Sequence, residues 1–312
     1  MEYAPLGSAG VVVSALGLGA GGPSRIGQRQ GATMGESVRV VREAIDLGIT
    51  IIDTAEAYRT EEIIGNALKD GGTADVIISS KVSPKSDDGL KSAAMIKQSL
   101  DSSLKRLGRE RIDIYHVHGV SPQLYPEIRE TVYPVLERMK KNGKIGSIGI
   151  TEQFGADFRH QMLETALSDD LWDVIMIGYN MLNVSGRDLI RRASEQGVGV
   201  LDMFAVRRAF RTMEELRPLL ADMCSQGLLD ADELEKENPF VTALETGECA
   251  SLAELAYRFC LHEPGINVVL CGTGSLGHLR DNRESADKPN VSQAVRSRIE
   301  SLFGSINRVS GN

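Results

Sequence analysis

The stretch ITIIDTAEAY, residues 49–58, joins a short apolar run to two polar residues, Asp53 and Tyr58, at the point where the run ends. Two further runs end in the same way, DVIISSK (75–81) and DIYHVH (113–118). Such runs are typical of buried parallel strands, and active-site groups cluster where these strands end. The candidate catalytic residues are therefore Asp53, Tyr58, Lys81 and His118.

About eight short apolar or β-branched runs alternate with helical patterns along the chain. This alternation predicts an α/β fold, a single (β/α)8 TIM barrel that forms one domain over residues 1–312. The runs are SALGLGA (14–20), ITIIDTA (49–55), DVIISSKV (75–82), DIYHVHG (113–119), KIGSIGIT (144–151), WDVIMIGYN (172–180), VGVLDMFA (198–205) and INVVLCG (266–272).

Three local patterns add detail to this barrel. Thr33 with Glu36 predicts a capped helix start, and Ser185 with Asp188 predicts another. The opening YAPLGSAGVVVS predicts an N-terminal β-hairpin that plugs the end of the barrel opposite the site. Residues 206–250 are too many for an ordinary connection, so we expect an insertion after strand 7 that either serves the site or decorates the surface.

Composition excludes several classes of partner. The chain has 35 basic and 43 acidic residues, a formal charge of -8, and no basic tract, which disfavours nucleic acid and anionic membranes. Its 4 Cys residues form no CxxC pair and no zinc spacing, so we expect reduced thiols and no metal. No targeting or membrane-spanning segment is apparent, which predicts a cytoplasmic protein with a small-molecule ligand.

The four candidate residues suit proton transfer to a carbonyl oxygen. Tyr58 would be the acid, although a free phenol has a pKa of about 10. A Lys81 ammonium about 4 Å away would stabilise the phenolate by roughly 4 kcal/mol, equivalent to ~3 pKa units. Asp53 would keep Lys81 charged and oriented, and His118 would donate a hydrogen bond to the substrate oxygen.

Each of these residues also has a purely structural interpretation. Asp53 and Lys81 could form a structural ion pair, and His118 could be a hydrogen-bonded core imidazole. His116 competes with His118, because both point to the same face of one strand. Only His118 stands at the boundary with the loop that begins at Gly119, where the mouth of a barrel is expected.

With these motifs, the chain resembles the aldo-keto reductase superfamily over nearly its whole length. The resemblance is carried by DTAEAYRTEEIIGNAL, by KV after ISS, by DIYHVHG and by KNGKIGSIGI. It implies a barrel that reduces carbonyls with a nicotinamide cofactor, or catalyses the reverse, with the four catalytic roles at the four residues above. It also implies a monomer or a weak homo-oligomer.

The segment VVLCGTGSLGHLRDN (268–282) resembles the part of that family that holds the adenosine side of the cofactor. Gly272 and Gly274 would let backbone amides approach phosphate oxygens, and Asn282 would contact the adenine. The nicotinamide side departs from the family, whose usual Ser-Asn pair, Gln and stacking aromatic are replaced. The replacements are Thr151, Glu152, Met176 and Met203, with Phe204 one position after the aromatic site.

The residues that contact the 2′-phosphate of NADP also differ from those of the family, because Thr273 and His278 stand where the family has Lys and Arg. The predicted cofactor is NADP, with NAD as the alternative. Guanidinium groups suit phosphate oxygens, but exposed arginines can equally be solvated and have no role. The residues that could compensate are Ser275, Arg280, Arg207 and Arg208.

The leading hypothesis is an NAD(P)-dependent oxidoreductase that acts on an aldehyde, ketone or sugar hemiacetal. The altered positions Glu152 and Met176 also fit a dinucleotide-binding sensor or regulatory protein with vestigial catalysis. A third hypothesis is a phosphate-ester lyase or isomerase that uses Gly272 to Ser275 for a substrate phosphate.

Overall fold

A computed structural model describes residues 1–69 and 75–311 of the chain. Within these ranges, eight parallel strands close a barrel in chain order, and the last strand pairs with the first. The predicted (β/α)8 barrel is therefore confirmed, whereas its extent as one domain stays a prediction. Strands 1 to 8 are Leu16–Gly19, Ile51–Asp53, Ile77–Val82, Ile112–Val120, Ile145–Glu152, Val174–Ile177, Gly199–Asp202 and Val268–Cys271.

Helices connect the strands, and a side chain caps the start of several of them, including the first. The hydroxyl of Thr33 accepts from Glu36 N, and the Glu36 carboxylate accepts from Thr33 N at 2.7 Å, which forms the predicted capping box. The helices are Met34–Asp46, Glu61–Leu68, Ala93–Leu107, Tyr125–Glu127, Tyr133–Lys141, Gln161–Ser168, Arg187–Glu195, Met213–Ser225, Ala231–Lys236, Pro239–Glu245, Leu252–Leu261, Leu276–Ser285 and Gln293–Phe303, with a π-helical turn at Ile128–Val132.

The predicted cap at Ser185 is wrong. Helix Arg187–Glu195 is preceded by Gly186, and no side chain caps its start. The Ser185 hydroxyl is instead 2.6 Å from Asn183 Oδ1, within the loop after strand 6. The Ser185 hydroxyl donates to this side chain, and its oxygen accepts from none of the N–H groups at the helix start.

The N-terminal hairpin covers the end of the barrel where the strands begin, as the sequence predicts. Strands Tyr3–Pro5 and Val12–Ser14 pair antiparallel, and the turn between them carries the fully buried Leu6. Leu6 packs against Gly199 at the start of strand 7, and Gly7 lies so close to Gly197 that an added Cβ would be 2.4 Å from its carbonyl oxygen. The carboxyl ends of the strands are therefore the end that can form the site.

The long segment after strand 7 is the expected insertion. It contains the three helices that begin at Met213, Ala231 and Pro239, and the Thr212 hydroxyl caps the first of them. In the described part of the chain, no helix is both long and apolar enough to cross a membrane.

Candidate active site

The four candidate residues meet at the carboxyl ends of neighbouring strands. Asp53 ends strand 2, Lys81 lies in strand 3 and His118 in strand 4, while Tyr58 closes the 3-10 turn Glu56–Tyr58. The Tyr58 hydroxyl is 3.2 Å from His118 Nε2, and Lys81 Nζ is 2.5 Å from Asp53 Oδ2. Lys81 Nζ also lies 4.9 Å from the centre of the Tyr58 ring.

Two further residues orient the buried ion pair. Ser79 Oγ donates to Asp53 Oδ1 at 2.7 Å, and Lys81 Nζ donates to the carbonyl oxygen of Thr54 at 2.8 Å. Burial lowers the pKa of Lys81, but the Asp53 carboxylate outweighs this effect and leaves that pKa above its usual range. The ammonium therefore stays charged beside Tyr58.

Burial is the main influence on Tyr58. It raises the pKa of the phenol, and the attraction of Lys81 reduces this rise without reversing it. Lys81 thus acts in the expected direction, but burial keeps the pKa of the phenol above its usual range. Tyr58 is a protonated hydroxyl at neutral pH, beside a positive charge that can stabilise a developing phenolate.

The structure distinguishes the two histidines of strand 4. His116 is fully buried and its Nε2 lies 3.1 Å from Ser79 Oγ, whereas His118 reaches Tyr58. Burial, with a smaller contribution from Lys81, lowers the pKa of His118 to about 3. His118 is thus neutral at physiological pH, and a neutral imidazole offers one N–H donor.

The end of strand 5 carries two of the residues that replace family positions. Thr151 Oγ1 accepts from Gly119 N at 2.7 Å and so anchors the loop that follows His118. Glu152 is buried, with Oε2 2.9 Å from His160 Nδ1 and Oε1 accepting from Gly178 N at 2.8 Å. Its carboxylate is therefore held within the protein, by a histidine that sequence analysis missed.

The remaining residues of the predicted nicotinamide side lie around strands 6 and 7. Met176 is 2% exposed and packs inside the barrel, and Met203 packs against the same inner core. The Phe204 ring lies 5.7 Å from that of Phe154. These positions therefore hold two thioethers and an aromatic ring, and the thioether of Met176 is almost fully buried.

A cleft of about 1330 Å³ opens at the end of strand 8. It exceeds the ~300–1,000 Å³ of ordinary small-molecule pockets, as an extended ligand requires. Six predicted cofactor residues line it, namely Gly272, Thr273, Gly274, Ser275, His278 and Asn282. Seven do not, namely Thr151, Glu152, Met176, Met203, Phe204, Arg207 and Arg208.

The loop after strand 8 starts a helix at this cleft. Ser275 Oγ accepts from His278 N and caps helix Leu276–Ser285, so that the helix start faces the cleft. Gly274 has an additional reason to be glycine, because an added Cβ would lie 2.4 Å from Gly27 Cα. A helix start with free backbone N–H groups is suited to a phosphate, so these residues fit the adenosine half of a dinucleotide.

The arginines proposed to compensate at the 2′-phosphate have different partners. Arg280 Nε is 2.7 Å from Glu43, and Arg208 is mostly exposed with Nε 3.6 Å from Glu215. Arg207 stacks on Phe204, 3.9 Å from the centre of its ring. The cleft is also lined by residues that were not identified from the sequence, because only the folded chain brings their segments to residues 272–282; among them are Arg39, Val206, Arg211 and Tyr257.

Known proteins share this sequence pattern and this fold. Residues 15–303 match the sequence model of the Aldo/keto reductase family. The aldo-keto reductase YhdN of Bacillus subtilis is 29% identical over 97% of this chain and 96% of its own. L-galactose dehydrogenase of Arabidopsis thaliana is 26% identical over 97% of this chain and 94% of its own. The structure of the aldo-keto reductase AKR11C1 from Bacillus halodurans, holo form, is similar with a TM-score of 0.75 at 24% identity, covering 99% of this chain and 100% of that one.

Proposed function

The chain belongs to the aldo/keto reductase family, and we propose that it uses NADP, with NAD as the alternative, to interconvert a small carbonyl compound and its reduced or oxidised partner. The substrate class is an aldehyde, a ketone or a sugar hemiacetal. One observation carries this proposal: the Tyr58 hydroxyl lies 3.2 Å from the neutral ring of His118, and the charged amine of Lys81 lies 4.9 Å from the centre of the Tyr58 ring.

In this proposal, Tyr58 is the general acid for reduction and the general base for oxidation. Its hydroxyl donates a proton to the substrate oxygen, and the Lys81 ammonium stabilises the phenolate that remains. His118, as a neutral imidazole, donates a hydrogen bond to the same oxygen and makes the carbonyl carbon more electrophilic. Asp53 keeps Lys81 charged and in place, and Ser79 holds the Asp53 carboxylate.

The nicotinamide cofactor supplies or accepts the hydride when it is bound. Gly272 to Ser275 and the helix start at Leu276 would hold its phosphates, and Asn282 would contact its adenine. Gly272 to Ser275, Leu276 and Asn282 support the proposal because they all line one cleft of about 1330 Å³. The relative named L-galactose dehydrogenase supports the inclusion of sugars among the substrates.

Two measurements test the function. Calorimetry with NADPH and NADH should show tight binding of at least one, and a panel of aldehydes, ketones and aldoses should show multiple turnover with the cofactor that binds. Failure of both cofactors to bind would overturn the proposal and leave the lyase or isomerase hypothesis.

The engaged carboxylate of Glu152 and the buried Met176 favour a second candidate, a dinucleotide-binding sensor or regulatory protein. It predicts tight cofactor binding without turnover on any member of the panel. A cytoplasmic location, the absence of a metal and a monomeric or weakly oligomeric state remain predictions.

A further inference from the structure

Glu56 begins the 3-10 turn that ends in Tyr58, but its side chain leaves the turn and reaches the loop after strand 3. Glu56 Oε1 accepts from Ser83 N at 2.8 Å and from Lys91 Nζ at 2.5 Å. The two charged side chains are only 17% and 13% exposed, respectively. Charge-assisted hydrogen bonds that are shielded from water hold a side chain more firmly than an exposed ion pair does. The carboxylate is therefore a fixed contact between the turn and this loop.

The loop after strand 3 covers residues 83–91, and Glu56 contacts both of its ends. Ser83 begins the loop, directly after the last residue of strand 3. Lys91 ends it, after a small hairpin that is closed by a hydrogen bond from Lys91 N to Pro84 O at 2.8 Å. Lys91 Nζ also donates to Ser99 Oγ at 3.0 Å, on the helix that follows. One carboxylate thus joins the start and the end of the loop to the turn of Tyr58.

Strand 3 carries Lys81, so this contact bears on the distance between the phenol and the ammonium. Other hydrogen bonds join strand 3 to the segment before the turn, from Thr54 N to Ser79 O and from Lys81 Nζ to Thr54 O, each at 2.8 Å. They fix the chain only as far as Thr54. The contacts of Glu56 lie two residues nearer to Tyr58 and extend the connection into the turn itself.

The backbone of the turn is constrained in a way that makes such contacts necessary. Arg59, directly after Tyr58, has φ 61°, a left-handed conformation that is unfavourable for a residue with a side chain. On the opposite side, Gly21 packs on the phenol so closely that an added Cβ would lie 2.5 Å from Tyr58 Cε2. A strained conformation persists only where the surrounding contacts hold it. Without Glu56, the turn would relax and the phenol would move.

We propose that Glu56 is a positioning residue for the general acid. By accepting from Ser83 N and pairing with Lys91, it fixes the turn of Tyr58 relative to the strand that carries Lys81. Glu56 contacts neither cofactor nor substrate in this role and acts through Tyr58. The inference rests on the proposed function, because the geometry that it maintains is that of the proposed proton donor.

The chain offers a matched control at the other end of the barrel. Asp173 Oδ2 accepts from Ile148 N at 2.7 Å and from Lys140 Nζ at 2.5 Å, the same combination of a backbone amide and an ammonium. Asp173 directly precedes strand 6, so it lies where the strands begin and not where the candidate residues meet. Asp173→Asn therefore weakens an equivalent pair without changing the turn of Tyr58.

Steady-state kinetics and calorimetry would compare Glu56→Gln, Glu56→Ala and Asp173→Asn. Glu56→Gln keeps an acceptor for one donor, and Glu56→Ala keeps none. A displacement of about 1 Å can cost 10²-fold in rate, so kcat should fall about tenfold in the first variant and up to about hundredfold in the second. It should stay within about twofold in Asp173→Asn. The Kd of the cofactor should not change in any variant, because Glu56 does not line the cleft.

A second readout reports the position of Tyr58 without turnover. The protein has 7 tyrosines, and selective 13Cζ labelling gives each one an NMR signal, of which that of Tyr58 is identified by its loss in Tyr58→Phe. The Tyr58 signal should shift in Glu56→Ala and keep its position in Asp173→Asn. Urea unfolding of each variant separates this local effect from a general loss of stability, and Glu56→Gln replaces Glu56→Ala if the latter does not fold.

The inference is overturned if folded Glu56 variants keep the kcat and the Tyr58 signal of the unmodified protein, or if Asp173→Asn lowers kcat as much as they do. Absence of turnover in the unmodified protein is a different result, which would remove the proposed function. In that case the Tyr58 signal still decides whether Glu56 fixes the phenol.

Discussion

The hydroxyl of Tyr58 lies 3.2 Å from Nε2 of His118, although the two residues are 60 positions apart in the chain. Their rings stand at 88° with centroids 5.3 Å apart, so the edge of one ring faces the other. This arrangement brings the phenol and the imidazole nitrogen to one point, where both can reach a single substrate oxygen. It is the geometry from which the proposed proton transfer follows.

Replacing Tyr58 by Phe should lower kcat by about 10²–10⁴-fold, the usual contribution of a general acid or base. Cofactor affinity should change little, because Tyr58 does not line the cleft. Steady-state kinetics with calorimetry checks both values. Tyr133→Phe is the matched control, since Tyr133 packs on Trp172 away from the four candidate residues. Similar kcat values in the two variants would remove Tyr58 as the acid.

Replacing Lys81 by Met should reduce both turnover and stability. Asp53 would lose its cation and remain buried, and loss of one partner of a buried pair costs about 3–5 kcal/mol of unfolding free energy. Burial already raises the pKa of Asp53, so the orphaned carboxyl should take up a proton and the loss should shrink as the pH falls. Denaturant unfolding at two pH values measures this, and a loss that grows at low pH would contradict it.

Protonation of His118 should make the free energy of unfolding fall at acidic pH. Burial places the pKa of His118 at about 3 in the folded protein, below the value of about 6.5 in an unfolded chain. As the pH falls below about 6.5 the unfolded chain binds the proton first, so this contribution to stability is complete above that pH and is lost toward pH 3.

His118→Gln should remove this dependence. The fall in unfolding free energy between pH 7 and pH 5 should be smaller in the variant by about 2 kcal/mol, at ~1.4 kcal/mol per pH unit per proton. His116 contributes equally in both proteins and cancels in the comparison. Identical pH profiles by urea unfolding would show that His118 is not buried as described.

The pair of Glu152 and His160 should be energetically coupled. Both side chains are buried, with Oε2 2.9 Å from Nδ1. A double-mutant cycle with Glu152→Gln and His160→Phe should give an interaction energy of about 1–3 kcal/mol in unfolding free energy. Additive effects of the two changes would mean that the carboxylate is free for another partner, such as the cofactor amide.

Arg39 should affect the choice between NADP and NAD. Glu43 pairs with Arg280, and the carbonyl oxygen of Leu47 accepts from Arg283, so helices Met34–Asp46 and Leu276–Ser285 run side by side in the same direction. Arg39 lies one turn, about 6 Å, before Glu43 on its helix. One turn before Arg280 on the neighbouring helix is its start after Ser275, so Arg39 lies level with that helix start.

Arg39→Ala should therefore raise Kd for NADPH about tenfold, the cost of one charge-assisted contact to the 2′-phosphate, and leave Kd for NADH within about twofold. Fluorescence titration with the two cofactors checks this, and NADH serves as the internal control. An equal change for both would place Arg39 away from the 2′ position.

The strands of the barrel and the start of its first helix could be predicted from local sequence patterns. The apolar runs that end in Asp53, Lys81 and His118 predicted the strands and their shared edge, because carboxyl ends of parallel strands meet there whatever the connecting loops are. The capping box at Thr33 was equally predictable, since its two hydrogen bonds join residues only three apart. Such features depend on neighbours along the chain.

Other features depended on contacts between distant segments. The sequence favoured His118 over His116 because of its place at the end of the run, but only the folded structure shows that His116 reaches Ser79 and His118 reaches Tyr58. His160 reaches Glu152 through a loop, Gly274 meets Gly27 from a different loop, and Arg207 is covered by the C-terminal segment. The alternation of apolar runs specifies a barrel because every strand is buried in the same way. The hydrogen-bond partner of each side chain inside the barrel depends on which loops pack over it, and only the folded chain determines that.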